Sequence, residues 1–274
     1  MNAVTSPLPL SSPSTSPRQP PPQPDTAWRE LHEAATLPYK TAGNFAWRFA
    51  RGKLGRDPVF RGLIERRLID ARHARVVDIG CGQGLFASLL ASMSAMQAKG
   101  RWPASWPATA VAVHYTGIEL MPKDIVRAEA SIGHLRPAPR LVCANMCNAD
   151  LPPCDLVVIL DVLHYVDIAA QDDVLRRVRD ALQPDGRLLL RVGDASDRRA
   201  FAISQWVDRM VTRVRGHKVS PTWGRPLSAW ISTLEGFGFT VQSVPMSQGT
   251  PFANVLLVAD LGVPAGAGAT SITE

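Results

Sequence analysis

The chain has no apolar run long enough to span a bilayer, and no continuous apolar stretch near residue 1 of the kind a secretory leader carries. Neither a membrane span nor export is expected. Cysteine is scarce: four in 274 residues, at 81, 143, 147 and 154, make no secreted disulfide pattern and point to a reducing, cytoplasmic setting. A zinc site is not expected either, because Cys143 falls on one strand, Cys154 opens another, and no histidine stands at ligand spacing among them. Long lysine runs are missing and the arginines are scattered. The net charge of +6 and pI near 9.5 therefore permit an acidic partner but lack the concentrated basic stripe of a nucleic-acid binder. The hydrophobic content of 46% suffices to bury one sizeable core, so one catalytic domain is the expectation.

The chain is organised around RVVDIGCGQGLFASLLA, from Arg75 to Ala91. Val76 and Val77 read as a short buried strand, Gly80, Gly82 and Gly84 as a turn, and Leu85, Phe86, Leu89 and Leu90 recur at helical spacing. Strand, glycine turn and helix form the first half of a nucleotide-binding βαβ unit, where bare backbone and a positive helix N-terminus approach a ligand. A dinucleotide fingerprint needs a glycine three residues after Gly82, but position 85 is Leu and the third glycine is Gly84. Asp78 is a second departure. A carboxylate at the end of that strand repels a pyrophosphate and attracts a ligand with ammonium and sulfonium groups, such as S-adenosylmethionine.

Residues 1–25 are dense in Pro and Ser and are expected to be a disordered tail. Residues 26–70 are expected to form a helical cap, with Phe45, Phe49 and Trp47 on an apolar side and Arg48, Arg51, Lys53 and Arg56 on a cationic one. Asp57 and Pro58 start its second helix as N-cap and first residue, sending Val59, Leu63, Ile64 and Leu68 inward. The basic face is either a solvated surface or a docking face for an acidic partner or a membrane surface. From 71 to 262 strands and helices alternate. Prolines make 98–110 a loop with Trp102 and Trp106 packing back, and VAVHYTGIEL is a strand with Glu119 at its end, where an acid can take both ribose hydroxyls of a nucleoside. RLVCANM is the next strand. CDLVVIL is an unbroken apolar run, as a central parallel strand requires, with Asp161 at its exit and Leu163, His164 and Tyr165 following. Asp167 starts a helix burying Ile168, Val174, Leu175, Val178 and Leu182; PDG turns into the strand GRLLLRV; 197–215 is another helix; and 215–226 is a substrate-side loop. FTVQSVP and FANVLLVAD make a terminal hairpin, and 263–274 is a flexible tail. The fold class is α/β: a Rossmann-like doubly wound sheet of about seven strands, mostly parallel with an antiparallel last strand, plus N-terminal helices.

DIGCGQG, GIEL and DLVVILDVLHYV, in that order, resemble the class I S-adenosylmethionine-dependent methyltransferases. With NFAWRFARGKLGRDPVF upstream, the chain is similar to the methyltransferases of bacterial aryl polyene pigment clusters. The [ND]-P-P-[FY] tetrad of enzymes that methylate bases is missing after Leu160. The resemblance implies that Asp78, Gly80, Gly82, Gly84, Glu119, Asn145, Met146 and Asp161 bind S-adenosylmethionine. Asn145 stands where relatives commonly carry an Asp that accepts from the adenine amino group, and Met146 is either a lid on the adenine or core. It further implies a small-molecule acceptor, a phenolic head group in bacterial secondary metabolism, presented by an acyl carrier protein. His164 is the candidate general base, set against a packing or capping role; Tyr165 is a candidate substrate contact, set against core packing, and Tyr39 and His217 are weaker candidates from loops over the pocket. Two other readings of the same sheet are a nicotinamide-dependent oxidoreductase and a non-catalytic regulatory subunit.

Overall fold

The computed structural model describes residues 22–193, 222–246 and 254–262. Its seven strands are β1 (Arg75–Ile79), β2 (His114–Glu119), β3 (Arg140–Cys143), β4 (Cys154–Leu160), β5 (Leu182–Gly193), β6 (Phe239–Pro245) and β7 (Asn254–Leu261). They form one sheet in the order β3-β2-β1-β4-β5-β7-β6. The first five run parallel, and β7 runs antiparallel to both its neighbours. The expected doubly wound sheet is therefore present. The chain leaves β1 toward β2 and β3, then returns to β4 on the other side, which puts the switch point of the sheet between β1 and β4.

Alternation along the strands feeds two cores. Val76, Leu156, Val158 and Leu189 face α1 (Pro24–Thr36), α2 (Asn44–Arg56), α3 (Pro58–Glu65), α4 (Leu85–Ala98) and α5 (Pro122–Ile132). Val77, Ile79, Val157, Ile159, Leu188 and Leu190 face α6 (Ile168–Ala181) and α7 (Leu227–Gly236). The N-terminal helices thus share a core with the sheet. Their starts follow local chemistry: Asp57 accepts from the Val59 N–H at 3.1 Å with Pro58 at the first position of α3, and Asp167 accepts from the Ala170 N–H at 2.9 Å at the start of α6.

Some expectations need correction. The inward side of α2 is Ala46, Ala50 and Leu54, whereas Phe45 is 55% exposed beneath the Arg127 guanidinium, 4.8 Å from its ring. Small residues let α2 lie close to α1: a Cβ on Gly55 would sit 3.0 Å from His32 Nε2. Ile168, the first residue of α6, is 39% exposed because its side chain precedes the buried stripe of Val174, Leu175 and Val178. Pairing of β5 begins before the PDG turn, with Leu182 beside Cys154; the chain then bulges and resumes with Arg187 beside Leu156. Trp102 and Trp106 do pack back, edge to face at 4.8 Å, with Trp102 Nε1–H donating to the Pro107 carbonyl at 2.8 Å. The helix expected at 197–215, His217, residues 1–21 of the expected N-terminal tail and the tail at 263–274 lie outside the described residues, whereas Pro24 and Asp25, counted with the first tail, open α1.

Candidate functional site

The glycine turn closes β1 and opens α4. Gly80, Gly82 and Gly84 have φ of 78°, 54° and 73°, in the left-handed region that glycine enters without strain. Gly80 is also pressed sterically: a Cβ there would come within 2.5 Å of Val162 Cγ1, just beyond β4. Around Gly82 a Cβ would meet nothing within 4 Å. The bare backbone of the turn therefore borders open space at the switch point, where doubly wound sheets hold ligands.

Two carboxyl groups define the charge there. Asp78, at 5% exposure, lies under the turn and accepts from the Tyr115 hydroxyl at 2.6 Å. Burial raises its pKa to about 7, with the charge of Glu119 adding and the Tyr115 hydrogen bond opposing. Glu119 ends β2 and accepts from the Gly82 N–H and the Met121 N–H, both at 2.9 Å. Burial raises its pKa too, against the pull of those N–H groups. Among the described residues neither acid takes part in an ion pair. A turn N–H that a phosphate would need is occupied by the protein's own carboxylate, so the site repels a pyrophosphate and suits a cation. Open space at Gly82, unpaired acids and spare lone pairs on Glu119 for hydroxyl donors together fit the sulfonium nucleoside S-adenosylmethionine.

The loop after β3 adjoins this pair. The Glu119 carbonyl accepts from the Ala144 N–H at 3.0 Å, next to the exposed Asn145. Asn145 Oδ1 accepts from the Cys147 N–H at 3.0 Å, a local turn that leaves one lone pair and the whole amide NH2 for a ligand. Met146 is half-buried against the α6-side core. From α6, Arg177 donates to the carbonyls of Met146 at 3.0 Å, Cys147 at 2.9 Å, and Ala149. One guanidinium holds the whole loop.

The exit of β4 differs from expectation. Asp161, at a φ of 62°, turns its carboxylate to Arg191 and, at 3.6 Å, to Lys53 Nζ. Burial pushes its pKa up, but those two cations outweigh this and hold it below the usual carboxylate range. The carboxylate that the resemblance assigns to the cofactor is thus ion-paired within the protein, which lowers its attraction for a further cation. Half-buried His164 follows in a single 3-10 turn, Leu163–Tyr165, its ring 4.2 Å from that of Tyr165 and its carbonyl accepting from the Trp223 N–H at 2.8 Å. Tyr39 is fully buried and donates to the Gln83 carbonyl of the glycine turn at 2.9 Å, a structural tie between cap and turn.

Sequence reasoning missed Tyr115, Arg177, Arg191 and the pair Gln171–Arg225, in which Arg225 Nε donates to Gln171 Oε1 at 2.7 Å and Gln171 Nε2 to the Trp223 carbonyl at 2.9 Å. Only Arg191 announced itself, as a lone charge inside the apolar strand LLLRV, where a cation demands partners.

Comparison with known proteins agrees with the geometry. Residues 47–244 match the methyltransferase domain family. The mouse acetylserotonin O-methyltransferase is 29% identical over 166 residues, 56% of this chain and 38% of that protein, so the match spans well under half of the curated relative. The mitomycin 7-O-methyltransferase MmcR superposes with a TM-score of 0.53 at 20% identity, covering 85% of this chain and 67% of that one. Human N-acetylserotonin methyltransferase in complex with S-adenosylmethionine gives 0.51 at 16%, covering 86% and 64%. The glycine turn, its two acids with no ion pair among the described residues, and the family match lead to one conclusion: this chain belongs to the methyltransferase domain family, is a class I methyltransferase in fold, and takes S-adenosylmethionine as its cofactor.

Proposed function

We propose that the chain methylates a hydroxyl of a small-molecule acceptor, with a phenolic head group as the preferred class. The observation carrying this reading is the Asp78–Glu119 pair, two raised carboxyls that form no ion pair among the described residues, beside an open glycine turn. Two relatives named above as O-methyltransferases, mouse acetylserotonin O-methyltransferase and MmcR, support oxygen as the acceptor atom. The cofactor, when bound, supplies a methyl group already activated by its sulfonium. The protein then has to align the acceptor and exclude water, which contributes ~7 kcal/mol or more.

In this reading Glu119 takes the ribose hydroxyls, Asn145 and Met146 the adenine, and Asp78 balances the cationic end from beneath the turn. Gly80, Gly82 and Gly84 let the backbone approach. Asp161 contributes through the path of its backbone. His164 accepts the hydroxyl proton as the oxygen bonds to carbon. The test is incubation with methyl-labelled S-adenosylmethionine and a panel of phenols, with recovery of the labelled product. An O-methyl ether supports the proposal. Cofactor binding with no transfer to any hydroxyl acceptor overturns it in favour of a regulatory role, and His164→Ala with an unchanged pH–rate profile removes the base.

A carrier-bound acceptor has one supporting feature. A trough of about 530 Å³ on α2 is lined by His32, Trp47, Arg48, Arg51, Gly52, Gly55 and Arg56, and Arg48 and Arg56 form no ion pair among the described residues. Such a surface complements an acidic partner. Lys53 is not part of it, being turned inward to Asp57 at 2.7 Å. The charge reversal Arg48→Glu with Arg51→Glu is expected to slow turnover of a carrier-tethered phenol and spare the free one; equal rates on both would dismiss the carrier.

A further inference from the structure

Arg191 is 2% exposed, on the β5 position that alternation turns toward the N-terminal helices. Its guanidinium donates to both oxygens of Asp57, at 2.5 and 2.7 Å, and to both oxygens of Asp161, at 2.7 Å through Nε and more closely through Nη2. Lys53 closes the figure, with Nζ 2.7 Å from Asp57 and 3.6 Å from Asp161. Cation and anion alternate around a ring of four, drawn from α2, the start of α3, the exit of β4, and β5. The ring has no net charge.

Its connection to the cofactor site is mechanical. Asp161 sits in the left-handed region, which Asp enters more readily than most non-glycine residues, and here the ion pairs to its carboxylate help hold it. The next residue, Val162, is the one whose methyl groups press on Gly80. The path of the chain at Asp161 therefore sets both the wall against the glycine turn and the start of the 3-10 turn that carries His164.

We propose that the Lys53–Asp57–Arg191–Asp161 ring is a positioning device for the methyltransferase site: it fixes the β4 exit through Asp161 and ties the seating of the N-terminal helices to cofactor affinity. Lys53 and Asp57 belong to the helices and touch neither the glycine turn nor its acids in any hydrogen bond or ion pair among the described residues. A purely structural ring would change stability and leave affinity alone.

The inference rests on the glycine turn being the cofactor site, so its test uses S-adenosylhomocysteine binding, which needs no acceptor. Calorimetry on the full chain is run for Lys53→Met, Asp161→Asn, their combination, and Lys53→Arg, with folding checked by thermal melting. Asparagine tolerates the left-handed backbone, so Asp161→Asn removes charge and keeps shape. Each single variant is expected to weaken binding roughly three- to tenfold, the combination no more than the larger single effect, and Lys53→Arg to restore it. Affinity within twofold of the unaltered chain for both folded single variants, whatever their melting temperatures, overturns the proposal. So does a combined effect equal to the product of the two. An unaltered chain that binds no S-adenosylhomocysteine overturns instead the assignment of the cofactor site.

Discussion

Four acids stand at the C-terminal edge of this sheet, and their surroundings divide them into two opposed pairs. Asp78 and Glu119, at the ends of β1 and β2, form no ion pair among the described residues, and burial raises both. Asp57 and Asp161, on the β4–β5 side, share Arg191 and Lys53; burial raises these as well, but the hydrogen bonds and charges of the two cations hold both below the ordinary range. The same residue type is neutralised from within on one side and left wanting a positive charge on the other. An internal ion ring is compensated and can serve as structure. An uncompensated buried acid costs stability, and a protein that keeps one beside a cleft is equipped for a cationic ligand.

Removing the ring's buried cation gives the largest expected effect. Arg191→Met leaves Asp57 and Asp161 facing each other with only Lys53 between them, and urea denaturation should show a loss on the order of 3 kcal/mol or more. On the other side the sign reverses. Between the unfolded carboxyl value near 4 and the folded value of about 7, the folded chain holds a proton on Asp78 that the unfolded chain has released. Asp78 is thus tolerated fully below about pH 4, and its cost grows as pH rises through about 7. Asp78→Asn is accordingly expected to stabilise the ligand-free chain at pH 8 by roughly 1–4 kcal/mol while weakening cofactor binding. Equal destabilisation by both substitutions would erase the distinction between the pairs.

Glu119→Ala sharpens the comparison further, with an expected loss of about 1–3 kcal/mol in cofactor binding from the lost charge-assisted hydrogen bonds, read by calorimetry. The pH dependence of binding is the mildest probe. A sulfonium favours the ionised form of Asp78, so affinity for S-adenosylmethionine should rise with pH by up to about tenfold per unit below pH 7 and level off above it. Affinity falling over that range would contradict the assigned charge.

Much of the glycine-turn side was legible because its signals are local. Glycine spacing, the acid after Val77, the apolar run of β4 and the capping Asp57 and Asp167 each depend on residues within one element or one turn, and each stands where the pattern put it. The ion pairing of Asp161 was not legible because its partner Arg191 is 30 residues away and Asp57 is 134 residues from that arginine, separations only topology can close. Tyr115 looked like one more strand residue until β2 was set beside β1, which brings its hydroxyl to Asp78. On α2, aromatic bulk suggested the inward face, whereas close helix packing selected Ala46 and Ala50.

The central claim, that Asp78 waits for a positive charge while Asp161 already has one, is tested most directly by following both carboxyl resonances in isotope-labelled protein across pH, with and without S-adenosylmethionine. Asp78 is expected to titrate near 7 in the free chain and to drop by more than one unit on binding, while Asp161 stays ionised throughout. An Asp78 that titrates at an ordinary carboxylate value, or that does not respond to the cofactor, would contradict the account.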